Sequence, residues 1–435
     1  MNSLRSLRPL WLLALLLAAA GAEAAEEYSF DASEFEKKPF EIGGYLQLKQ
    51  EGFALNRGSA FYRLNTIGQP QRESLDRSTG TLELIGKLRA GTGTFDFHTH
   101  SDLQRDPLAH DHNNTLYEAA YSARPDPGLT LEAGKRTLRW GKGYAWNPIG
   151  FVERPKDPND PELSREGLVM ANADLIFNRE GPLRTIAFTP VLLPVGRDVN
   201  SDFGAAGHLN PAAKLYLLYR DTDIDFAWQA KGSRPGRFGV DFARNITSNF
   251  EIHGEWTRVS RFPKPVTDAA GRVATEVADA TSYLLGVRYL TESDTTYIAE
   301  VYRNGTGYTD GQSRQFYQLV DAAFAQLQQT GSGALLQKAL SLGQGSYGRP
   351  NAGRDYLYLR AQQKDALGVV YLQAAVTAMM NVRDRSYQVT PELLYTGVKN
   401  LDLRMRLFLL HGGAATDFGE KQNSRKLEFY VRYYF

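Results

Sequence analysis

The 435-residue sequence predicts an all-β chain: a transmembrane, antiparallel, up-and-down β-barrel of about 18 strands, or about 16, with a helical insertion in one long loop. Three observations carry this. Apolar and polar residues alternate with a period of two through most of the chain. Short Gly-, Asn- or Asp-containing turns alternate with mostly longer connections. An apolar run at the N-terminus is the only stretch of its kind, so no segment reads as a spanning helix.

The alternation is clearest at the end of the chain. From Arg425 to Phe435, Leu427, Phe429, Val431, Tyr433 and Phe435 alternate with Lys426, Glu428, Tyr430, Arg432 and Tyr434. In a strand this puts an apolar row on one face and a charged, tyrosine-rich row on the other. With its terminal aromatic Phe435, the stretch resembles the closing strand of Gram-negative outer-membrane β-barrels, where a final Phe serves as an insertion signal. The resemblance implies outer-membrane lipid and the barrel assembly machinery as partners. At the other end, Arg5 and Arg8 precede an apolar run from Leu10 to Ala20, followed by Ala22-Glu23-Ala24. This pattern predicts a signal peptide over 1–25, too short for a membrane anchor, and export to the outer membrane.

Composition excludes several classes. Without cysteine there is neither a disulfide framework nor a thiolate metal site, and a formal net charge of +1 gives no basic excess for nucleic acid. The 23 Tyr and 22 Phe suit a barrel wall.

In chain order, residues 26–39 read as an acidic periplasmic lead-in, and the barrel occupies 40–435. The first strand shows Ile42, Gly44, Leu46 and Leu48 to lipid, with Gln47, Lys49 and Glu51 inward. Tight turns are expected at Gly91 to Gly93, Pro125 to Gly128, Glu180 to Pro182, Asp221 to Asp223, Thr247 to Asn249, Glu292 to Asp294, Lys364 to Ala366 and Lys399-Asn400. Longer connections are expected over Asn56–Ser78, Arg105–Asn114, Trp140–Gly167, Val195–Asn210, Phe262–Ala280, Gly305–Ala352 and Gly412–Ser424, with short ones near Pro235 and Asp384. A soluble sandwich would also alternate but gives no reason for the two kinds of connection.

The inward rows hold charges of both signs. Candidate lumen residues are Arg136, Arg288, Arg360, Arg404, Arg406, Arg432, Asp174 and Glu255. So many ionisable groups require water or close pairing. Acids concentrate in the first two thirds and arginines in the last strands, which predicts a transverse field across a pore; the alternative is a salt-bridged filling.

The run Gly134-Lys135-Arg136-Thr137-Leu138-Arg139-Trp140-Gly141-Lys142-Gly143-Tyr144-Ala145-Trp146-Asn147-Pro148 continues through Arg154-Pro155-Lys156-Asp157-Pro158-Asn159-Asp160-Pro161. Its glycines allow sharp bends, and its prolines stiffen the second half of the run. Such a loop, over 139–167, can fold inward as a constriction, with Arg139, Trp140, Lys142, Tyr144, Trp146, Arg154, Lys156 and Asp157 as its candidate residues; the alternative is an extracellular loop without solute contacts. Here the chain resembles the alginate-export-like and related porin-type barrels, which implies transport of an acidic polysaccharide. It departs from them in balance: residues 139–167 carry five basic and five acidic side chains.

Asp96, His98, His100 and Asp102 fall on one strand face, with His110 and His112 beyond, a weak signal for a divalent cation against a hydrated lumen row. No cofactor is predicted. A lipid-cleaving barrel would need a nucleophile and His together on the lipid face, whereas these histidines point inward, so no enzyme is expected. From Gln312 to Gly345, Phe316, Leu319, Val320, Ala323, Phe324 and Leu327 recur at helical spacing, Gly331-Ser332-Gly333 interrupts, and Leu335, Leu336, Ala339 and Leu340 resume. This predicts a helix pair within a loop at 306–352, whose apolar face packs against other loops, enters the pore mouth or meets a partner, the first being favoured.

Two functional classes remain: a porin-like channel for small polar or charged solutes, and a scaffold or exporter for a secreted acidic polysaccharide or a partner such as a cytochrome. The oligomeric state is left open.

Overall fold

The computed structural model describes residues 38–435. The expected signal peptide and all but the last two residues of the lead-in lie outside the described residues.

The elements run β1 Phe40–Leu55, α1 Ala60–Asn65, β2 Ser74–Ala90, β3 Gly93–Arg105, β4 His110–Asp126, β5 Leu129–Arg136, β6 Leu168–Asn178, β7 Leu183–Val195, β8 His208–Tyr219 and β9 Thr222–Gln229. They continue as β10 Arg237–Thr247, β11 Phe250–Thr267, β12 Val273–Leu290, β13 Thr295–Arg303, α2 Asp310–Thr330, α3 Ala334–Gln344, β14 Asp355–Gln363, β15 Leu372–Asn381, β16 Tyr387–Val398, β17 Leu401–His411 and β18 Asn423–Tyr434. Each strand pairs antiparallel with its sequence neighbours, and β1 pairs with β18, so the 18 strands close into a barrel. The seam is sealed by Gly44 and Phe435, whose backbone N–H and C=O groups exchange two hydrogen bonds of 3.1 Å.

The faces are inverted relative to a water-soluble sheet. Ile42, Leu46, Leu48, Met405, Leu427 and Tyr433 are exposed on the outer wall, while Gln47, Glu51, Glu83, Arg406 and Glu428 are buried on the inner one. Apolar side chains facing out and charges facing in is the arrangement hydrocarbon surroundings select. Strands also satisfy the backbone without water only when the sheet has no edge, as here.

All eight expected tight turns separate consecutive strands. That between β14 and β15 is longer than expected, containing a 3-10 turn at Ala366–Gly368. Two expected long connections prove to be strand. The β3–β4 ladder runs to Arg105 and His110, and the β11–β12 ladder to Thr267 and Val273. Outside hydrocarbon a ladder continues without an apolar row, so alternation in the sequence stops before the strand does. The β11 extension is turned by a bulge between Val259 and Phe262, where Arg261 adopts φ 49° and donates its N–H to Asp279 at 2.8 Å.

The expected helix pair is α2 and α3. Thr309 and Gln312 form a reciprocal capping box at the start of α2, and Gly331, at φ 71°, ends it. Their apolar faces meet other loops: Phe316, Leu319 and Val320 of α2 and Leu336 of α3 cluster with Leu64 of α1, with Val266 of the β11 extension packed against them. Arg63 of α1 pairs with Asp321 at 2.5 Å. The six-residue α1, absent from the sequence reading, is too short to show a period.

Because Met405 faces outward and Arg404 inward, exchanging their character separates the two environments. An arginine at mid-bilayer on the wall costs about 2–4 kcal/mol, so Met405→Arg should sharply reduce the folded, heat-modifiable gel band. Arg404→Met should leave most of it; equal losses would mean that the faces are reversed.

Candidate functional site

The segment joining β5 to β6, residues 137–167, lies inside the barrel, because its partners are side chains of the inward rows. Glu255 of β11 accepts from the backbone N–H groups of Lys142 and Gly143, each at 2.7 Å, and of Ile149 at 3.0 Å. Glu300 of β13 accepts from the N–H of Ala145 at 2.9 Å and from that of Tyr144. Two carboxylates thus satisfy five donors of an irregular segment that has no ladder of its own. The approach requires glycine: a Cβ on Gly143 would meet the Trp146 carbonyl oxygen at 2.3 Å, and Gly141 sits at φ 97°.

Apolar side chains fix the rest. Trp146 stacks on Tyr302 with centroids 4.9 Å apart and also meets Tyr356 and Tyr358. Trp140 packs with Ile149, Phe151 and Leu193. Tyr144 is half-buried beside Tyr358.

The loop cations are mostly engaged. Lys142 Nζ lies 3.0 Å from Asp225, and Arg154 binds Glu166 at 3.0 Å as well as Asp202. Lys156 donates to the carbonyls of Gly143 and Tyr144, and Arg165 pairs with Glu153 at 2.8 Å. Burial pushes the Lys156 ammonium below the ordinary lysine range, outweighing the nearby carboxylates of Glu255 and Glu153. Burial opposes the charge on Lys142 too, yet Asp225 and Asp241 outweigh it and hold that ammonium above the range. Among the candidate constriction residues, Arg139 and Asp157 are exposed. Changing Lys142, Arg154 and Lys156 would therefore strip partners from carboxylates and carbonyls rather than remove free charge.

At its tip the loop meets the opposite wall. Arg404 and Arg406 of β17 hold Asp160 at 2.8 and 3.3 Å, Arg406 also donates to the Asn159 carbonyl at 2.9 Å, and Gln388 of β16 donates to the Asn159 side chain at 2.6 Å. Between this tip and β17, β18 and β1 lies a cavity of about 450 Å³. Lys49, Arg404, Arg406, Lys421, Lys426 and Arg432 line it against Asp157, Asp160 and Glu428; Lys49 and Lys426 also pair with Glu51 and Lys421 with Asp417, so that Arg432 alone of the six lacks a carboxylate partner among the described residues.

The eight candidate lumen residues all fall on inward rows. Arg136 pairs with Glu132 at 3.1 Å and Asp96 at 3.5 Å, and Arg360 with Glu392 at 2.9 Å; Asp174 accepts from Thr189. Arg288, near the short-turn end, is exposed. Arg432 donates to Gln47 at 2.8 Å and packs over Tyr45 at 4.2 Å. The histidine row is engaged by carboxylates: Glu83 lies 2.7 Å from His98 Nε2 and 2.8 Å from His100 Nδ1, while Asp102 lies 2.7 Å from His100 Nε2. Asp96 turns instead to Lys87 and Arg136. His110 and His112 sit exposed at the β3–β4 tip.

The sequence reading missed Lys421 and Lys426 as cavity cations, and Glu300 and Asp225 as anchors of the loop. A signal exists for Asp225. Asp225, Asp241 and Glu255 stand directly opposite one another across β9, β10 and β11. Like charges so placed are destabilising unless something else compensates them.

No family model matches the sequence, and no curated protein matches it. Solved structures do. The outer-membrane porin OccK5 (OpdH) of Pseudomonas aeruginosa aligns with 91% of this chain and 98% of its own at 13% identity and a TM-score of 0.51. OpdQ of the same organism aligns with 92% and 99% at 11% identity and a TM-score of 0.53. The chain has the porin fold. OccK3 (OpdO) aligns with 91% and 95%, with a TM-score of 0.50.

The Asp160 attachment has a pH signature. Burial would raise its carboxyl, but Arg404 and Arg406 hold it below the ordinary range. A depressed folded value means that the attachment is fully present above the ordinary Asp value of about 3.9 and is lost as pH falls through the folded value. Charge-assisted bonds of this kind are worth about 2 kcal/mol. In single-channel recordings Asp160→Asn should show at pH 7 the current noise that the native chain shows only under acid. Indistinguishable traces would detach the loop tip from conduction.

Proposed function

We propose that this chain is an outer-membrane channel of porin type, exported through its N-terminal signal peptide, that passes small polar or charged solutes with a preference for anions. The observation that carries the preference is the cavity wall of β17, β18 and β1. It is supported by the difference in pairing between the two sides of the lumen. Asp225, Glu255 and Glu300 are covered by the loop and spend their charge on its donors. Arg432 faces Gln47 and tyrosine rings, with no carboxylate partner among the described residues. A solute squeezed between loop and wall meets the Arg432 guanidinium, the one cavity cation without a carboxylate partner among the described residues, where bulk water screens least. No catalytic group is assigned, and no cofactor is needed for this role.

A scaffold or exporter is the second reading. It rests on the helix pair gathered with α1 over the long-loop end, and, for an acidic polymer, on the likeness of Gly134 to Pro161 to alginate-export-like barrels. The loop lends the polymer less support, because Lys142, Arg154 and Arg165 already have carboxylate partners.

Planar-bilayer recording decides between them. The native chain should conduct, and a KCl gradient should give a reversal potential of anion-preferring sign. Arg432→Gln should lower the anion-to-cation permeability ratio at least twofold. Deleting 310–344 should raise conductance without changing that ratio. Silence from both the native chain and the deletion would favour the scaffold.

A further inference from the structure

We propose that a groove on the outer wall across β9, β10 and β11 binds a phosphorylated lipid, with acyl chain on Trp228, Phe238 and Trp256 and phosphate on Lys231 and Arg258. The inference assumes only that the outer wall faces lipid and is independent of what the lumen passes.

The groove encloses about 300 Å³. Its three rings point outward with 48%, 42% and 40% of their surfaces exposed, and Phe238 meets Trp256 edge to face at 6.3 Å. Trp140 and Trp146 are buried in the lumen loop, so both outward tryptophans among the described residues line this one groove. A girdle of interfacial aromatics spreads around a barrel; here the rings converge on a concavity.

The height of the groove fixes which part of a lipid it meets. β9 ends at Gln229 and β10 begins at Arg237, so the groove lies at the long-loop end of the wall. Along β9 the outward row passes from Phe226 and Trp228 to Lys231 in the connection; along β11 it passes from Trp256 to Arg258 and Ser260. This change from aromatic to cationic within two or three residues, about 7–10 Å, matches the step from acyl chain to phosphate. Lys231 is exposed and has no carboxylate partner among the described residues; Arg258 lines the groove, is exposed, and also pairs with Asp279 of β12 at 2.5 Å. A phosphate oxygen can bridge the two cations by charge-assisted hydrogen bonds, while the groove continues the apolar belt below it.

Three probes separate the parts of the ligand: dioleoylphosphatidic acid, dioleoylglycerol with the same chains and no phosphate, and inorganic phosphate with no chains. Native mass spectrometry of the detergent-solubilised chain should show one phosphatidic acid retained at least tenfold more tightly than dioleoylglycerol, and brominated chains should quench tryptophan emission. Lys231→Gln, alone and with Arg258→Gln, should cut phosphatidic acid retention about tenfold while dioleoylglycerol is unaffected; Trp228→Ala should reduce both, and lose most of the bromine quenching. Heat-modifiable migration checks that each variant is folded. Equal retention of the two lipids would reduce the groove to ordinary belt surface. Competition by inorganic phosphate at equal concentration would make it a free-anion site. A change of oligomeric state in the variants would make it an interface between copies, and native affinity in the double variant would remove the cations from the site.

Discussion

Closure of the hydrogen-bonded ladder is the constraint that governs both wall and lumen. Tyr45 pairs with Tyr434 and each later residue of β1 with an earlier one of β18, so the sheet has no edge. In hydrocarbon an unpaired N–H or C=O has no substitute partner. Closure settles the backbone of the wall and leaves the side chains to two solvents, with alternate residues assigned to lipid and lumen. It also sets a size. Eighteen strands enclose more space than inward side chains can fill, which gives the segment from β5 to β6 room to enter.

That segment meets the same demand without a ladder. Its donors turn to Glu255 and Glu300, and the exchange serves both sides. Asp225, Asp241 and Glu255 stand in register as three adjacent carboxylates, an arrangement that would repel itself in an empty lumen. Backbone N–H groups compensate Glu255 and the Lys142 ammonium compensates Asp225. The acidic wall and the loop therefore stabilise each other, and neither is explicable alone.

The same division separates the legible from the illegible in the sequence. Strand number, turn positions and the assignment of faces depend on a period of two that each strand carries locally, as Leu403-Arg404-Met405-Arg406 does. Where lipid stops imposing that period, legibility stops too: the outer ends of β3, β4, β11 and β12 read as loop, and α1 is too short to read. The loop is visible as a glycine- and tryptophan-rich run, but its charges read as free. Lys142 and Asp225, or Arg154 and Asp202, are joined by the path of the loop through the lumen, which no local pattern encodes. Charge composition gives the right sign balance for the loop and the wrong picture of its field.

The field instead depends on how each cation is held. Arg136 and Arg360 are fixed by carboxylates, which orient them and cancel them together. Arg432 is fixed by the neutral Gln47 and by the faces of Tyr45 and Tyr430, the latter at 5.0 Å. Aromatic faces and amide oxygens restrain a guanidinium while leaving its unit charge in place. Tyrosine on the inward rows of β1 and β18 is thus what lets Arg432 stay ordered with its charge uncompensated. The loop neutralises the acids on the other side, and on this wall Arg404, Arg406 and Lys426 are met by Asp160, Glu428 and Glu51, so the asymmetry across the lumen comes down to the neutral partners of Arg432.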